Sequence, residues 1–250
     1  MKTFAAAVTL FTRIPAWRWT SIPQDAYSSA VGCWPLTGWI TGGIAALSLF
    51  AAAQLLPLFP AIVIALVVRL LLTGALHEDG LADFCDGFGG GDSKERILAI
   101  MKDSHIGTYG VIGLICYFLL VFSLLSTLTP AAAAIALFTS DPAAKACTSQ
   151  ITNILPYARP EGAKNRITYS DMTPWQITFN VLAGVAPLAA LCVFIPWFLL
   201  SLLLPVATIC LLTIMLRKRI GGYTGDCCGA CCLICEVAML TGIAIIYTAL

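Results

Sequence analysis

Residues 56–76 read LPLFPAIVIALVVRLLLTGAL, and residues 77–92 continue without a break as HEDGLADFCDGFGGGD. The first part has the length of a membrane span, for which about 20 mostly apolar residues suffice. The second part is dense in carboxylates: Glu78, Asp79, Asp83 and Asp86 fall within nine residues, and Asp92 ends the stretch. A membrane helix that runs directly into an acidic segment predicts a charged site at the membrane surface.

The composition of the whole chain supports the same interpretation. Of its 250 residues, 59% are hydrophobic and 11% are charged, whereas a soluble domain is about half apolar and a quarter charged. The net charge of +1 creates no overall field that would attract nucleic acid. We therefore expect an all-α, polytopic transmembrane helix bundle that forms one integral membrane domain over residues 1–250. About seven spans are predicted: Val31–Leu55, Leu56–Leu76, Ile106–Leu128, Ala131–Leu155, Ile177–Pro196, Trp197–Leu216 and Cys228–Tyr247.

Basic residues occur in alternate connections between these spans and are missing from the short turns between them. They are Lys2, Arg13, Arg18, Lys94, Arg96, Lys102, Arg159, Lys164, Arg166, Arg217, Lys218 and Arg219. Because cytoplasmic loops carry the excess of Lys and Arg, we expect an active-site loop of about 77–105 and further loops of about 156–176 and 217–227 in the cytoplasm. The C-terminus is then outside. The pattern predicts a multi-pass protein of the cytoplasmic (inner) membrane.

The spacing of the aspartates suggests a metal site. If the helix continues, Asp79, Asp83 and Asp86 stand at i, i+4 and i+7 on one face, where like charges repel by a few tenths of a kcal/mol per pair. A hard divalent cation removes this repulsion, and Mg²⁺ prefers oxygen ligands and usually keeps waters and substrate phosphates. We predict Mg²⁺ bound by these three residues and Glu78, and we count Asp83 among the candidate catalytic residues as well. The alternative is a solvated acidic loop.

The residues after the aspartates could contact a phosphate. Gly89 and Gly90 allow backbone amides to approach an anion closely in a nest-like turn, although glycines here are also typical of a helix end. Asp92 is expected to cap the next short helix. Lys102 could neutralise phosphate, and Asp103 could ligate the metal or act as a base; both also suit ordinary interfacial charge.

Two later segments contribute further candidates. Arg159, which leaves the fourth predicted span, could bind a phosphate or a carboxamide, or only anchor the loop by its charge. The turn Gly221–Asp226 opens the last span and supplies Thr224 as a candidate substrate ligand and Asp226 as a candidate catalytic acid.

Several polar residues fall inside predicted spans. Glu236 lies in the last span, and Asp141 and Lys145 lie four residues apart, where they can pair on one helix face. Intramembrane charges are costly and indicate a functional or pairing role. A cluster of cysteines at the start of the last span, Cys228, Cys231, Cys232 and Cys235, allows a metal site but is more typical of close helix packing.

Five segments, taken together and in this order, closely resemble the adenosylcobinamide-GDP ribazoletransferase (cobalamin synthase) family. They are Phe11–Pro15, His77–Gly91, Met101–Gly110, Ala158–Gly162 and Gly221–Asp226, and they extend over nearly the whole chain. The resemblance implies a magnesium-dependent transferase of the cytoplasmic membrane that acts late in cobalamin synthesis.

The resemblance also implies the substrates. The enzyme would join α-ribazole or its 5′-phosphate to adenosylcobinamide-GDP, with release of GMP. Asp79, Asp83 and Asp86 match the acidic motif of the family and take its metal role by this resemblance. Glu78 stands where many members have an apolar residue, and His105 stands where many have arginine. The sequence leaves open whether the chain forms a homo-oligomer.

The sequence leaves two other functions to consider. A CDP-alcohol-type phosphotransferase requires Asp-Gly-x-x-Ala-Arg, but here Asp79-Gly80 leads to Ala82-Asp83, without the arginine. A cation-coupled transporter would place acids near the bilayer centre on several helices, and Asp141, Lys145 and Glu236 keep that alternative open. Release of GMP from the corrinoid dinucleotide distinguishes the predicted enzyme from both.

Overall fold

The computed structural model describes residues 1–159, 169–193 and 195–249, and within these residues every regular element is a helix. The predicted all-α class is therefore confirmed. The described part of the chain contains thirteen α-helices: α1 Lys2–Phe11, α2 Gln24–Ser28, α3 Trp34–Ala52, α4 Leu58–Thr73, α5 Leu76–Gly90, α6 Lys94–Ile100, α7 Thr108–Ser126, α8 Pro130–Ser149, α9 Ile151–Ile154, α10 Pro174–Val185, α11 Ala189–Cys192, α12 Leu203–Arg219 and α13 Gly225–Thr248. Short 3₁₀ turns occur at Ala16–Arg18, Ala30–Cys33, Ala186–Leu188 and Pro196–Leu202.

Membrane-spanning helices are present, but fewer than the approximate number expected. Four described helices are long and apolar enough to cross a bilayer: Ala30–Ala52, Thr108–Ser126, Pro196–Arg219 and Gly225–Thr248. A fifth is counted if α4 and α5 form one broken span. The expected span Ile177–Pro196 is interrupted, because α10 ends at Val185 and is followed by short turns. Helix α8 is 20 residues long, but its polar residues lower its hydropathy.

Small residues let α3 and α8 approach closely. A Cβ at Gly38 would lie 2.8 Å from backbone atoms of Pro142, and one at Gly42 would lie 3.1 Å from the Leu137 carbonyl oxygen. Such contacts are typical of membrane helices, where dispersion and close backbone approach replace the hydrophobic effect. Together with α13, which is buried along much of its length, these helices form the core of the bundle.

A sharp bend separates α4 from α5. Gly74 and Ala75 both adopt the left-handed conformation, with φ of 66° and 56°, and the two helices meet at 91°. Arg13 covers the bend: its N–H donates to the Leu72 carbonyl at 2.7 Å, and its side chain fills the space that a Cβ of Gly74 would need. Because α5 leaves the direction of α4 and carries four carboxylates, we assign it to the membrane surface, outside the spanning segments.

The short helix α6 begins one residue later than expected. Ser93, not Asp92, is its N-cap, and the Ser93 hydroxyl accepts the Arg96 N–H at 3.3 Å. Serine and aspartate cap helices about equally well, so the sequence could not separate two adjacent candidates.

Candidate active site

The candidate site forms where α5 crosses the start of α13. A Cβ at Gly80 would lie 2.9 Å from the Asp226 carbonyl oxygen, and one at Gly229 would lie 3.2 Å from the His77 carbonyl oxygen. Both positions therefore need glycine for the two backbones to approach this closely. The crossing brings Asp226 next to the face of α5 that carries Asp79 and Asp83.

Thr224 and Arg159 hold the Asp226 carboxylate. The Thr224 hydroxyl caps α13 by accepting the Cys227 N–H at 3.2 Å, and it donates to Asp226 Oδ2 at 3.3 Å. Arg159 donates from Nη2 to the same oxygen at 2.8 Å. The Nε of Arg159 is buried and has no hydrogen-bond partner among the residues described.

Arg159 reaches this position through pairing of two loops. Tyr157 and Tyr223 form an isolated parallel bridge: the Ala158 N–H donates to the Tyr223 carbonyl at 2.8 Å, and the Tyr223 N–H donates to the Pro156 carbonyl at 2.9 Å. Sequence reasoning missed this pairing, because nothing in either loop indicates a strand. The rest of the predicted segment Ala158–Gly162, from residue 160 onward, lies outside the described residues.

The carboxylates around Asp83 repel one another. Partial burial, followed by the negative charges of Asp226, Asp79 and Asp86, raises the pKa of Asp83 to about 6. A cation bound among these groups would reverse that effect, and a set of carboxylate oxygens is the donor chemistry that Mg²⁺ prefers. Within the described part of the chain, no three His, Cys, Asp or Glu side chains are arranged as a complete metal site. The Mg²⁺ site therefore stays a prediction, and the carboxylate oxygens present here are the ligands that such a site would need.

Asp86 has a different environment from Asp79 and Asp83. Its two carboxylate oxygens accept the N–H groups of Gly107 at 2.6 Å and Gly110 at 2.8 Å, so it holds the N-terminus of α7 against α5. A carboxylate is favoured there by the free amides and the positive end of the helix dipole. The predicted metal role of Asp86 is untested, but both of its oxygens already have donors.

Glu78 lies apart from the other acids. It is buried, 5% exposed, while Asp79 beside it is exposed. Successive residues in a helix point about 100° apart, so Glu78 points into the bundle toward Arg69, which attracts it electrostatically. The predicted metal role of Glu78 is untested, and the structure places this residue in the interior instead.

The predicted glycine nest is a helix end instead. Gly89 and Gly90 form the last turn of α5, where backbone N–H groups bond to the preceding turn of the helix. The Tyr109 ring packs where a Cβ of Gly89 would be, 2.6 Å away at the nearest atom. Gly90 lines a cavity of about 360 Å³ together with Asp86, Arg96 and Asp103, so its lack of a side chain keeps that cavity open.

Asp103 and Lys102 lie at the outer edge of the site. Asp103 accepts the backbone N–H of His105 at 3.0 Å and contacts His105 Nδ1 at 2.7 Å, and these hydrogen bonds lower the pKa of the Asp103 carboxyl. Both Asp103 and His105 line the 360 Å³ cavity. Lys102 is exposed, and no described contact fixes its side chain near Asp83.

Two arginines that the sequence did not single out as ligands also adjoin the site. Arg96 lines the 360 Å³ cavity. Arg219, at the end of α12, donates to the Gly91 carbonyl at 2.8 Å and lies over the Phe88 ring. Arg219 thereby ties α12 to the end of α5. The only sequence signal for either residue was its position in a basic loop.

The cysteines of α13 form no metal site in the described residues. Cys227, Cys228, Cys231, Cys232 and Cys235 are all free and buried. The small side chains of this face are consistent with close packing of α13 against its neighbours.

Comparisons with known proteins agree on one family. The family model for cobalamin-5-phosphate synthase matches residues 3–244. Among curated relatives, the adenosylcobinamide-GDP ribazoletransferase of Leptothrix cholodnii is 36% identical, with 96% of this chain and 94% of the relative covered. The enzymes of the same name from Shewanella frigidimarina, 36% identical over 95% and 92%, and Clostridium novyi, 32% identical over 96% and 95%, also match. No solved structure matches. The chain is a transferase and belongs to the cobalamin-5-phosphate synthase family.

Proposed function

We propose that this protein transfers the cobinamide-phosphate part of adenosylcobinamide-GDP to α-ribazole or α-ribazole 5′-phosphate. The reaction releases GMP and forms adenosylcobalamin or its 5′-phosphate. The names of the relatives support the substrates, and the meeting of Asp79, Asp83, Asp226 and Arg159 at one crossing is the observation that carries the chemistry. We further propose that the reaction depends on Mg²⁺ and takes place on the cytoplasmic side of the inner membrane.

A ribose hydroxyl attacks the phosphorus that bears the corrinoid. A new P–O bond forms to the ribose, and the bond to the GMP oxygen breaks. Arg159 binds the pyrophosphate: its Nε has no hydrogen-bond partner among the described residues, and its Nη2 lies beside Asp226. Positioning and charge stabilisation supply most of the catalysis in phosphoryl transfer, so the site needs no covalent intermediate.

Asp79, Asp83 and Asp226 would hold Mg²⁺, which would neutralise negative charge on the pyrophosphate. Asp103 is exposed and hydrogen-bonded to His105, and it accepts the proton of the attacking hydroxyl and passes it to solvent. Since the pKa of Asp103 is lowered, it is ionised at neutral pH and is available as an acceptor. Arg96 and Gly90 shape the adjoining cavity for part of a substrate.

The test measures GMP release by detergent-solubilised protein from adenosylcobinamide-GDP in the presence of α-ribazole and Mg²⁺. We expect Asp83→Asn to abolish turnover and still insert into the membrane, because one charged oxygen ligand is lost. Asp25→Asn, which removes a carboxylate from the short helix α2, is the matched control and should keep full activity. GMP release at wild-type rate by the Asp83→Asn variant would exclude the proposed metal site.

The same assay separates the alternative functions. A CDP-alcohol phosphotransferase would release CMP from a CDP-alcohol and leave the corrinoid dinucleotide intact. A cation-coupled transporter would release neither nucleotide. The intramembrane charges that kept the transporter alternative open are Asp141, Lys145 and Glu236. In the structure all three lie in ion pairs, Lys145 with Asp141 and Glu236 with Arg69.

A further inference from the structure

A buried charged cluster lies beneath the candidate site. It surrounds a cavity of about 10 Å³, room for one water-sized molecule, and contains Arg69, Glu78, Glu236 and the pair Asp141–Lys145. Each of these side chains is at most 5% exposed. Burying charges in a bilayer is costly, so charged residues at such positions indicate a functional or pairing role that apolar residues could not fulfil.

Arg69 is the centre of the network. From α4, its Nη1 donates to Glu236 on α13, and its Nη2 donates to the Tyr117 hydroxyl on α7 at 2.5 Å. Tyr117 in turn donates to the second oxygen of Glu236 at 2.7 Å. Three helices are therefore connected through one guanidinium, whose planar arrangement of donors lysine cannot reproduce.

Glu78 joins α5 to this network. It immediately precedes Asp79 in the helix that carries the site. One of its carboxylate oxygens is buried without a hydrogen-bond partner in the described structure, and its negative charge is attracted mainly by Arg69. Arg69 thus lies between an acid of α5 and an acid of α13, the two helices whose crossing brings Asp83 and Asp226 together.

We propose that Arg69 is a positioning residue: by attracting Glu78 on α5 and binding Glu236 on α13, it fixes how these helices cross and so sets the spacing of Asp83 and Asp226. The proposal rests on the proposed function, because it assigns a purpose to that spacing. Arg69 does not touch the substrate. Its effect on the reaction is transmitted through the two helices.

The chain contains a matched control for this role. Asp141 and Lys145 are buried to the same extent and line the same cavity, but both belong to α8, which carries no predicted site residue. Their other partner is Thr41 on α3, whose hydroxyl donates to Asp141 at 2.5 Å. Loss of this pair should weaken the bundle without changing the crossing of α5 and α13.

The experiment compares the double variant R69M/E236M with D141N/K145M. Removing both partners of the Arg69–Glu236 pair avoids leaving either of them buried and unpaired, which would be strongly destabilising. Glu78 loses its attraction to Arg69 in the same variant, and this is the change that the experiment tests. Binding of Mn²⁺, used as a probe for Mg²⁺, is followed by the loss of the free-ion EPR signal in protein without substrate. Thermal unfolding of both variants in detergent is measured alongside.

We expect R69M/E236M to bind Mn²⁺ at least tenfold more weakly than the wild type, and D141N/K145M to bind it as the wild type does. In GMP release, R69M/E236M should need at least tenfold more Mg²⁺ for half-maximal rate, even with the rate corrected for folded protein. A purely structural role would change melting temperature and leave the metal requirement of the folded fraction unchanged. That result would overturn the proposal.

A second variant covers the case in which R69M/E236M does not fold. Arg69→Lys keeps a buried positive charge but loses the planar pair of donors that binds Glu236 and Tyr117 together, so it should also weaken Mn²⁺ binding. Wild-type binding by folded Arg69→Lys would contradict the proposal. Failure of the wild type itself to bind Mn²⁺ would instead refute the proposed metal site, which separates the two failures.

Discussion

The close backbone contact between α5 and α13 predicts a large effect for a single methyl group. In Gly80→Ala, the new Cβ would lie 2.9 Å from the Asp226 carbonyl oxygen and 3.2 Å from its Cα. Favourable contacts lie at about 3.5–4.0 Å, so α5 and α13 must separate by about 0.5 Å. Both contacting atoms are backbone and cannot move aside alone. The separation therefore displaces Asp83 relative to Asp226.

The expected consequences differ for stability and for activity. Overpacking costs about 1–3 kcal/mol, of which the better helix propensity of alanine returns about 0.5–1 kcal/mol. The net loss in free energy of unfolding is then between about 0 and about 2.5 kcal/mol. Because displacements of about 1 Å can cost about 100-fold in rate, we expect GMP release to fall roughly tenfold or more in protein that is still folded.

Gly225→Ala is the matched control for this prediction. Gly225 directly precedes Asp226, yet a Cβ there meets nothing within 4 Å. The two variants are compared by GMP release and by thermal unfolding in the same detergent. Equal activity of Gly80→Ala and Gly225→Ala, with both folded, would refute the reasoning that the α5–α13 contact sets the site geometry.

Three further predictions concern Asp83, the cysteines of α13 and Gly107. Since the pKa of Asp83 is raised to about 6, its carboxyl group is mostly protonated below that pH and cannot bind a cation. At subsaturating Mg²⁺, the rate of GMP release should therefore fall about tenfold per pH unit below about pH 6 and level off above it. A rate that stays constant down to about pH 5 would contradict this prediction. Replacement of Cys228, Cys231, Cys232 and Cys235 together by alanine should leave measurable turnover, whereas complete loss in well-folded protein would restore the cysteine metal site. In Gly107→Ala the Cβ would lie 2.5 Å from Asp86 Oδ1, so we expect a loss of about 1–3 kcal/mol in unfolding free energy, measurable by thermal unfolding.

The sequence was most informative about the acidic helix. The spacing of Asp79 and Asp83 correctly placed them on one face, because helical periodicity depends only on local sequence. The same periodicity turns Glu78 away from them, so its inclusion among the metal ligands followed from proximity in sequence and not from geometry. The apolar composition predicted the membrane bundle for an equally simple reason: a bilayer leaves the backbone few alternatives to helices.

Other features depend on partners far apart in the chain. Arg159 and Asp226 are 67 residues apart, and their contact requires a loop pairing that no local pattern predicts. Asp86 finds its donors in Gly107 and Gly110 on another helix. Ala75, in a left-handed conformation that alanine rarely adopts, gave no sign of the bend after α4. The family resemblance indicated that some of these segments belong to one site, but only the fold shows which side chains are in contact.

The brace that Arg13 forms over the bend makes two distant positions interdependent. The guanidinium occupies the volume that any side chain at position 74 would require, and the left-handed φ of Gly74 independently disfavours other residues. A larger residue at position 74 therefore requires the Arg13 side chain to leave the bend and the backbone strain to be accepted. The opening residues of the chain thus help to set the direction of the acidic helix, and a deletion there would alter the site through the bend at Gly74 and Ala75.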